Sequence, residues 1–243
     1  MIAFTFDDGP GALTPGILDV LEGTDDKVTF FINGQWVGGV NGKYAPVIKR
    51  ADDMGCEIGL HTFSHKNIYF ESKKEDAPDE LIKEELSKIA DLYTGITGKT
   101  TYLLRPPGGG FNKTRNYGYT LILWNVDSED WVDASEYTRG NLTLEAAAQK
   151  TATRVLKDVS PGDIVLMHDI HEPSIRAFEI IYEQLKSEGY RFVTVSELLG
   201  INPEEHTGQY FYSTSRYGEM GKTYTAPEQR SALAVALPRG KEE

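Results

Sequence analysis

Residues 2–10 read IAFTFDDGP, and this stretch sets the architecture. Ile2, Thr5 and the aromatic Phe4 and Phe6 favour extended backbone, and Asp-Gly-Pro stops the strand because those residues suit tight turns. The segment after it, 14–22 (TPGILDVLE), reads as a helix with Thr14 as N-cap and Pro15 at its first position. The same alternation of strand, turn and helix then runs down the chain. Further strands are expected over 27–32, 56–60, 101–104, 119–125, 163–167 and 190–194. Helices are expected over 44–54, 78–94, 143–158 and 173–187, with a short one at 195–199. The helix at 78–94 puts Leu81, Ile82, Leu86, Ile89 and Tyr93 on one face. Strands separated by helices imply a parallel sheet, and seven strand candidates suit a (β/α) barrel better than a small open sheet. The rhythm breaks at 105–118 (RPPGGGFNKTRNYG), where no helix is expected. Residues 202–243 are polar with interspersed tyrosines and read as an extension, partly packed on the barrel, beyond a single domain over 1–201.

The 243 residues carry 37 acidic and 25 basic side chains, a formal charge of −12. That balance opposes nucleic acid as the main partner, since phosphate binding needs a basic surface. No apolar run is long enough for a transmembrane helix. The single cysteine, Cys56, excludes an internal disulfide and a cysteine-based zinc site and reads as a small buried hydrophobe. Met1 leads directly into IAFTF, without a basic segment, apolar stretch and cleavage site. That start suits either a cytoplasmic protein or a mature chain.

The polar residues cluster at one place in the pattern. Asp7 and Asp8 follow the first strand, His61 and His65 the third, Arg105 the fourth, Asp127 and Asp130 the fifth, and His168 and Asp169 the sixth. A barrel gathers the C-terminal ends of its strands at one mouth. Taken singly each residue has a plainer explanation: a turn, an ion pair, a core histidine. Their repeated use of the same strand end does not. Two imidazoles and a carboxylate bind a divalent metal while leaving positions open. A second carboxylate can act as base and a histidine across the site as acid. That combination is an amide or ester hydrolase. His171 is assigned to the surface.

The motifs that carry these residues are Thr5-Phe6-Asp7-Asp8-Gly9-Pro10, His61-Thr62-Phe63-Ser64-His65, Arg105-Pro106-Pro107, Asp127-Ser128-Glu129-Asp130-Trp131 and Leu166-Met167-His168. In this order they resemble the polysaccharide deacetylases, the NodB-homology or carbohydrate esterase family 4 group. The resemblance implies a deformed (β/α)7-type barrel. It also implies metal-dependent deacetylation of N-acetylglucosamine polymers such as peptidoglycan, chitin or chitooligosaccharides, or, in some members, of O-acetylated xylan. It implies that Asp7 is the general base, paired with Arg105. Asp8, His61 and His65 would be the metal ligands, and His168 the general acid, tuned by Asp130. Pro107, Gly108, Trp131 and Leu166 would contact substrate, with the Gly108 N–H at the oxyanion. The metal implied is zinc, with cobalt, nickel or manganese as alternatives. The resemblance further implies a monomer that works outside the cell or at its surface. Two features depart from the family pattern. Gly108 stands where an aromatic residue is usual, so Gly108→Tyr is expected to raise turnover, and the loop after it lacks a helix. Two other readings remain open at this point: a carbohydrate-binding relative with weak catalysis, and a two-His-one-carboxylate iron oxygenase. The oxygenase ranks last because it needs neither Asp7 nor Arg105.

Overall fold

The computed structural model describes residues 1–220; the rest of the expected extension, Tyr224 included, lies outside the described residues. The elements in chain order are β1 (Ala3–Asp7), α1 (Thr14–Leu21), β2 (Thr29–Ile32), α2 (Ala45–Asp53) and β3 (Glu57–Leu60). A small hairpin of β4 (Tyr69–Phe70) and β5 (Glu75–Asp76) precedes α3 (Asp79–Thr97) and β6 (Leu103–Leu104). Then come β7 (Thr120–Ile122), β8 (Val126–Asp127), α4 (Asp130–Thr138), α5 (Leu144–Asp158) and β9 (Ile164–His168). The chain continues through α6 (Glu172–Ser187), α7 (Val195–Leu199), β10 (Gln209–Ser213) and β11 (Arg216–Glu219).

The main sheet runs β11-β10-β7-β6-β3-β2-β1-β9-β8. Every neighbouring pair is parallel except β10 with β11. The seven strands from β7 to β8 are the deformed (β/α)7 barrel that the sequence implies. Its deformation is specific. Of the strand expected over 119–125 only β7 forms, and a second short strand, β8, follows just beyond it: β7 pairs with β6 at one end of the array and β8 pairs with β9 at the other. Residues 123–125 therefore bridge the two ends of the curled sheet covalently, where a ladder of hydrogen bonds would close a regular barrel.

Side-chain alternation divides β1 cleanly. Phe4 and Phe6 face the helices, with ring centroids 5.6 and 5.1 Å from that of Phe178 on α6. Phe178 is fully buried, and removing such a side chain from water contributes about 1.5–3 kcal/mol. The odd residues, Thr5 and Asp7, therefore face the barrel interior. In register with them on β9 stand Leu166 and His168, so two carboxylate-or-imidazole positions meet at the mouth by strand pairing alone.

Several expectations change. Thr14 is the first helical residue and Leu13 the N-cap, because the Thr14 hydroxyl is engaged elsewhere: it accepts from Gly11 N–H at 2.8 Å and donates to Asp169 at 2.5 Å. Residues 190–194 form a single bridge, Ile2 with Phe192, rather than a strand. Helix α4 was not expected, since its polar sequence DWVDASEYT has no apolar period. Within the region read as an extension, β10 pairs in parallel with β7, and Ser213 bridges Asp163 just before β9. The hairpin thus covers the gap left by the β7-to-β8 crossing. Thr143 caps α5 as expected, accepting from the Ala146 N–H, and Cys56 is buried.

Candidate active site

The sequence-predicted residues meet at the C-terminal ends of the strands. Arg105 sits just past β6 and is fully buried. Its Nη1 donates to Asp7 Oδ1 at 2.8 Å and to Thr5 Oγ1 at 2.7 Å. Its Nε and Nη2 donate to the carbonyls of Ile122 and Leu123 at 2.9 and 3.0 Å. Those carbonyls end β7 and begin the stretch that crosses to β8. The guanidinium therefore satisfies backbone that the broken ladder would leave unpaired, and it orients Asp7 at the same time. Its plane lies over the Phe31 ring at 4.2 Å. Burial pulls its pKa down, and the Asp7 carboxylate opposes that pull.

Beside Asp7, Asp8 Oδ1 lies 3.2 Å from His65 Nε2 and 3.6 Å from His61 Nε2. The His61 Nδ1 is 2.7 Å from the Arg105 carbonyl oxygen. Only an N–H can make that bond, so Nδ1 carries the proton and Nε2 presents a lone pair toward Asp8. Burial holds His61 below the ordinary imidazole range despite the pull of Asp7 and Asp8, which favours the neutral ring. Asp8 Oδ1 is buried and accepts no hydrogen bond. A neutral imidazole, a second imidazole and an orphaned carboxylate oxygen within 4.8 Å of one another fit a divalent cation. Among the described residues this is the one His/Cys/Asp/Glu group that could hold a metal ion.

Across the mouth, His168 Nδ1 lies 2.7 Å from Asp130 Oδ1, and the His168 backbone N–H donates to Asp130 Oδ2 at 2.7 Å. Asp130 is itself buried at the start of α4. Burial pulls the imidazolium down, but the adjoining Asp130 carboxylate outweighs it and His168 is pushed up to about 9. The same pairing holds Asp130 below its usual value against the opposing effect of burial. His168 is therefore charged at neutral pH, with Nδ1 tied down and Nε2 left to transfer a proton.

Backbone strain concentrates here. Of the five non-glycine residues with positive φ among the described residues, four are Asp8, Thr62, His65 and Glu129. Such conformations cost about 1–3 kcal/mol each and persist where surrounding contacts enforce them.

Leu166 is buried on the same face of β9 as His168. Trp131, in the first turn of α4, is 54% exposed, so it stands on the rim rather than in the core. Pro107 is buried, and Gly108 has φ 65° with open space where a Cβ would point. That left-handed backbone strains any other residue, so the expected benefit of Gly108→Tyr does not hold. The loop has other supports. Asn112 N–H donates to the Tyr117 hydroxyl at 2.9 Å, and both side chains reach Asp76 of the small hairpin, at 2.9 and 3.1 Å. This network occupies the place of the missing helix.

His171 is a correction. It is half-buried, its ring centroid 6.3 Å from that of His168, not on the open surface. Asp127 brackets the turn, accepting from Trp124 Nε1 and the Glu129 N–H. Glu85 escaped the sequence reading, and Asp169 is placed by it at a strand end without a role. Asp169, fully buried against Gly9 and bonded to Thr14, is pushed up to about 7 by burial. Glu85, on α3, binds Ser64 within the His61–His65 loop. A lone charge on the apolar face of α3 was the signal for Glu85. A separate cavity of about 500 Å³ lies at the opposite ends of β3 and β6, lined in part by Cys56, Glu57 and Tyr102, and holds none of these groups.

Residues 1–121 match the family profile described as polysaccharide deacetylase. The peptidoglycan-N-acetylglucosamine deacetylase of Listeria monocytogenes is 34% identical over 202 residues, covering 82% of this chain and 39% of that protein. This chain therefore spans about two fifths of the length of that relative. A chitin deacetylase from Colletotrichum lindemuthianum is 32% identical over 212 residues, covering 84% of this chain and 81% of the relative. A family 4 acetyl xylan esterase from Clostridium thermocellum, solved with a cobalt ion, superposes with a TM-score of 0.70 at 28% identity, covering 87% and 98% of the two chains.

Proposed function

The chain belongs to the polysaccharide deacetylase family, and from that membership we propose that it hydrolyses the N-acetyl group of N-acetylglucosamine units in a polysaccharide, releasing acetate and leaving a free amine. The observation that carries this reading is the pair Asp7 and His168, register partners on adjacent strands, each braced by a buried group of opposite charge. Asp8, His61 and His65 beside them are the proposed ligands of a divalent ion, zinc in the first instance. Such an ion supplies Lewis acidity, polarising the acetyl carbonyl and acidifying a water.

The protein's own groups divide the remaining work. Asp7 takes the proton of the attacking water, with Arg105, itself anchored by Thr5, holding its carboxylate in place. His168 gives the proton from Nε2 to the sugar nitrogen as the carbon–nitrogen bond breaks, and Asp130 fixes the ring for that transfer. The Gly108 N–H donates to the developing oxyanion. Pro107, Leu166 and Trp131 border the acetyl group, Trp131 from the rim. The N-acetyl assignment is favoured by His168. An amine is a poor leaving group until protonated, and an acid pushed up to about 9 stays charged at neutral pH. Relatives named for N-acetylglucosamine in peptidoglycan and for chitin support the same choice.

The catalytic unit is proposed to be residues 1–201, with the 202–243 extension adding the closing hairpin. Polymers of this class place the enzyme outside the cell or at its surface, working as a monomer. Among the described residues no helix is long and apolar enough to cross a membrane. The test is acetate release from chitooligosaccharides, peptidoglycan and acetylated xylan, after chelation and after adding back zinc, cobalt, nickel or manganese. Metal-restored release from the N-acetylated substrates is expected. Release from acetylated xylan alone, or no release with any metal, overturns the reading.

A further inference from the structure

We propose that Glu85 is a positioning residue for the metal site, acting through Ser64 to fix the direction of His65. The inference rests on the reading of Asp8, His61 and His65 as the metal ligands.

The five-residue loop HTFSH contains no glycine, yet two of its residues are left-handed, Thr62 at φ 62° and His65 at φ 58°. Left-handed backbone is unfavourable for a β-branched residue and uncommon for histidine, so the loop does not hold this shape by local preference. It is held from outside. The His61 N–H donates to the Ile32 carbonyl at 2.9 Å, and the Phe63 carbonyl accepts from the Gln35 N–H at 2.7 Å. Ser64 gives both its donors to one carboxylate: its N–H to Glu85 Oε2 at 2.7 Å and its hydroxyl to Glu85 Oε1 at 2.6 Å.

The two histidines differ in how they are oriented. The His61 ring is fixed directly by the Arg105 carbonyl. Among the described residues, no hydrogen bond orients the Nδ1 of His65, and its side chain is 44% exposed. A metal-ligating histidine usually has its second nitrogen held by a carboxylate, carbonyl or water. Here the carboxylate grips the backbone one residue earlier. A bidentate grip on Ser64 sets the peptide that leads into His65, and a left-handed Cα then aims the ring at Asp8.

Glu85 has no other evident reason to be where it is. It is 3% exposed on the face of α3 that carries Ile82, Leu86 and Ile89, where a leucine would pack without desolvating a charge. Among the described residues its salt-bridge partner is Lys66, at 3.6 Å, the residue that follows His65. Its polar contacts thus flank the proposed ligand on both sides.

The experiment titrates the metal-free protein with zinc by calorimetry and records the visible spectrum of the cobalt-substituted protein, with circular dichroism and thermal unfolding as fold controls. The variants are Glu85→Gln, Ser64→Ala, Glu84→Gln and His65→Ala. Glu84 is the exposed neighbour, paired with Lys88, so it controls for the lost charge. Glu85→Gln keeps the shape but cannot accept from both Ser64 donors. It should weaken zinc binding by about 10- to 100-fold and alter the cobalt bands, the usual effect of losing a partner behind a ligand. Ser64→Ala should change both in the same direction by a smaller amount, and Glu84→Gln should change neither. If Glu85→Gln and Ser64→Ala bind zinc as the parent does, or only lower the melting temperature, while His65→Ala loses the metal, this inference is overturned and the ligand reading stands. If His65→Ala retains zinc, the ligand reading itself fails and takes the inference with it. Should Glu85→Gln not fold, Ser64→Ala decides by the same titration.

Discussion

Asp130→Asn is the most informative perturbation of the catalytic reading. Burial pulls the His168 ring below 6.5, and the carboxylates around it, Asp130 foremost and then Asp7 and Asp8, push it up to about 9. The gap between those values corresponds to about 3.5 kcal/mol at roughly 1.4 kcal/mol per pH unit. The acid works only when protonated, so the alkaline limb of the kcat/KM profile should fall from near pH 9 toward the ordinary imidazole range, with Asp7 and Asp8 limiting the fall. If the ring returned fully to about 6.5, the protonated fractions at pH 8 would be about 0.9 and 0.03, so titration alone should slow the variant there by up to about 30-fold. At pH 6 most of that difference should vanish, leaving whatever is lost because asparagine cannot accept from both the ring and the His168 backbone N–H. The sign also applies to stability. The raised His168 contributes fully below about pH 6.5, and that contribution is lost as pH rises through about 9. The assay is acetate release from a chitooligosaccharide across pH 5.5–10 with saturating metal, alongside an NMR titration of the His168 ring. An active variant whose limb and ring titration both stay where they were would refute the coupling of Asp130 to His168.

Two further outcomes follow from the geometry. Asp7→Asn should retain bound zinc by elemental analysis yet turn over about 10²–10⁴-fold more slowly, the usual worth of a general base; loss of the metal would make Asp7 a ligand instead. Gly108→Ala should lower stability by about 1 kcal/mol in urea unfolding, because alanine resists left-handed backbone; an unchanged midpoint would mean that the backbone at 108 is not left-handed.

Much of this was written in the order of residues. Alternating strands and helices gave the parallel barrel, since strand and helix periods are local properties of the chain. The strand-end positions of Asp7, Asp8, His61, His65, Arg105 and His168 predicted their convergence, because parallel strands bring the same ends together. Helix α4 and the β10–β11 hairpin were not legible. The first lacks an apolar period, and the second joins the sheet through β7, some 90 residues earlier in the chain. His171 was misplaced because nothing local says which side of α6's first turn meets His168.

Residue identity alone determined the chemistry available: two carboxylates, two imidazoles, an arginine and an acid–histidine pair, each at the end of an apolar strand. Tertiary structure decided what each would do. Which aspartate meets Arg105 and which faces the histidines depends on side-chain alternation being broken by a left-handed Asp8. The charge on His168 depends on Asp130 reaching it from 38 residues away. The grip of Glu85 on Ser64 depends on α3 packing beneath the loop. Proton affinity and orientation are set by burial and by partners distant in sequence, and those exist only once the chain has folded.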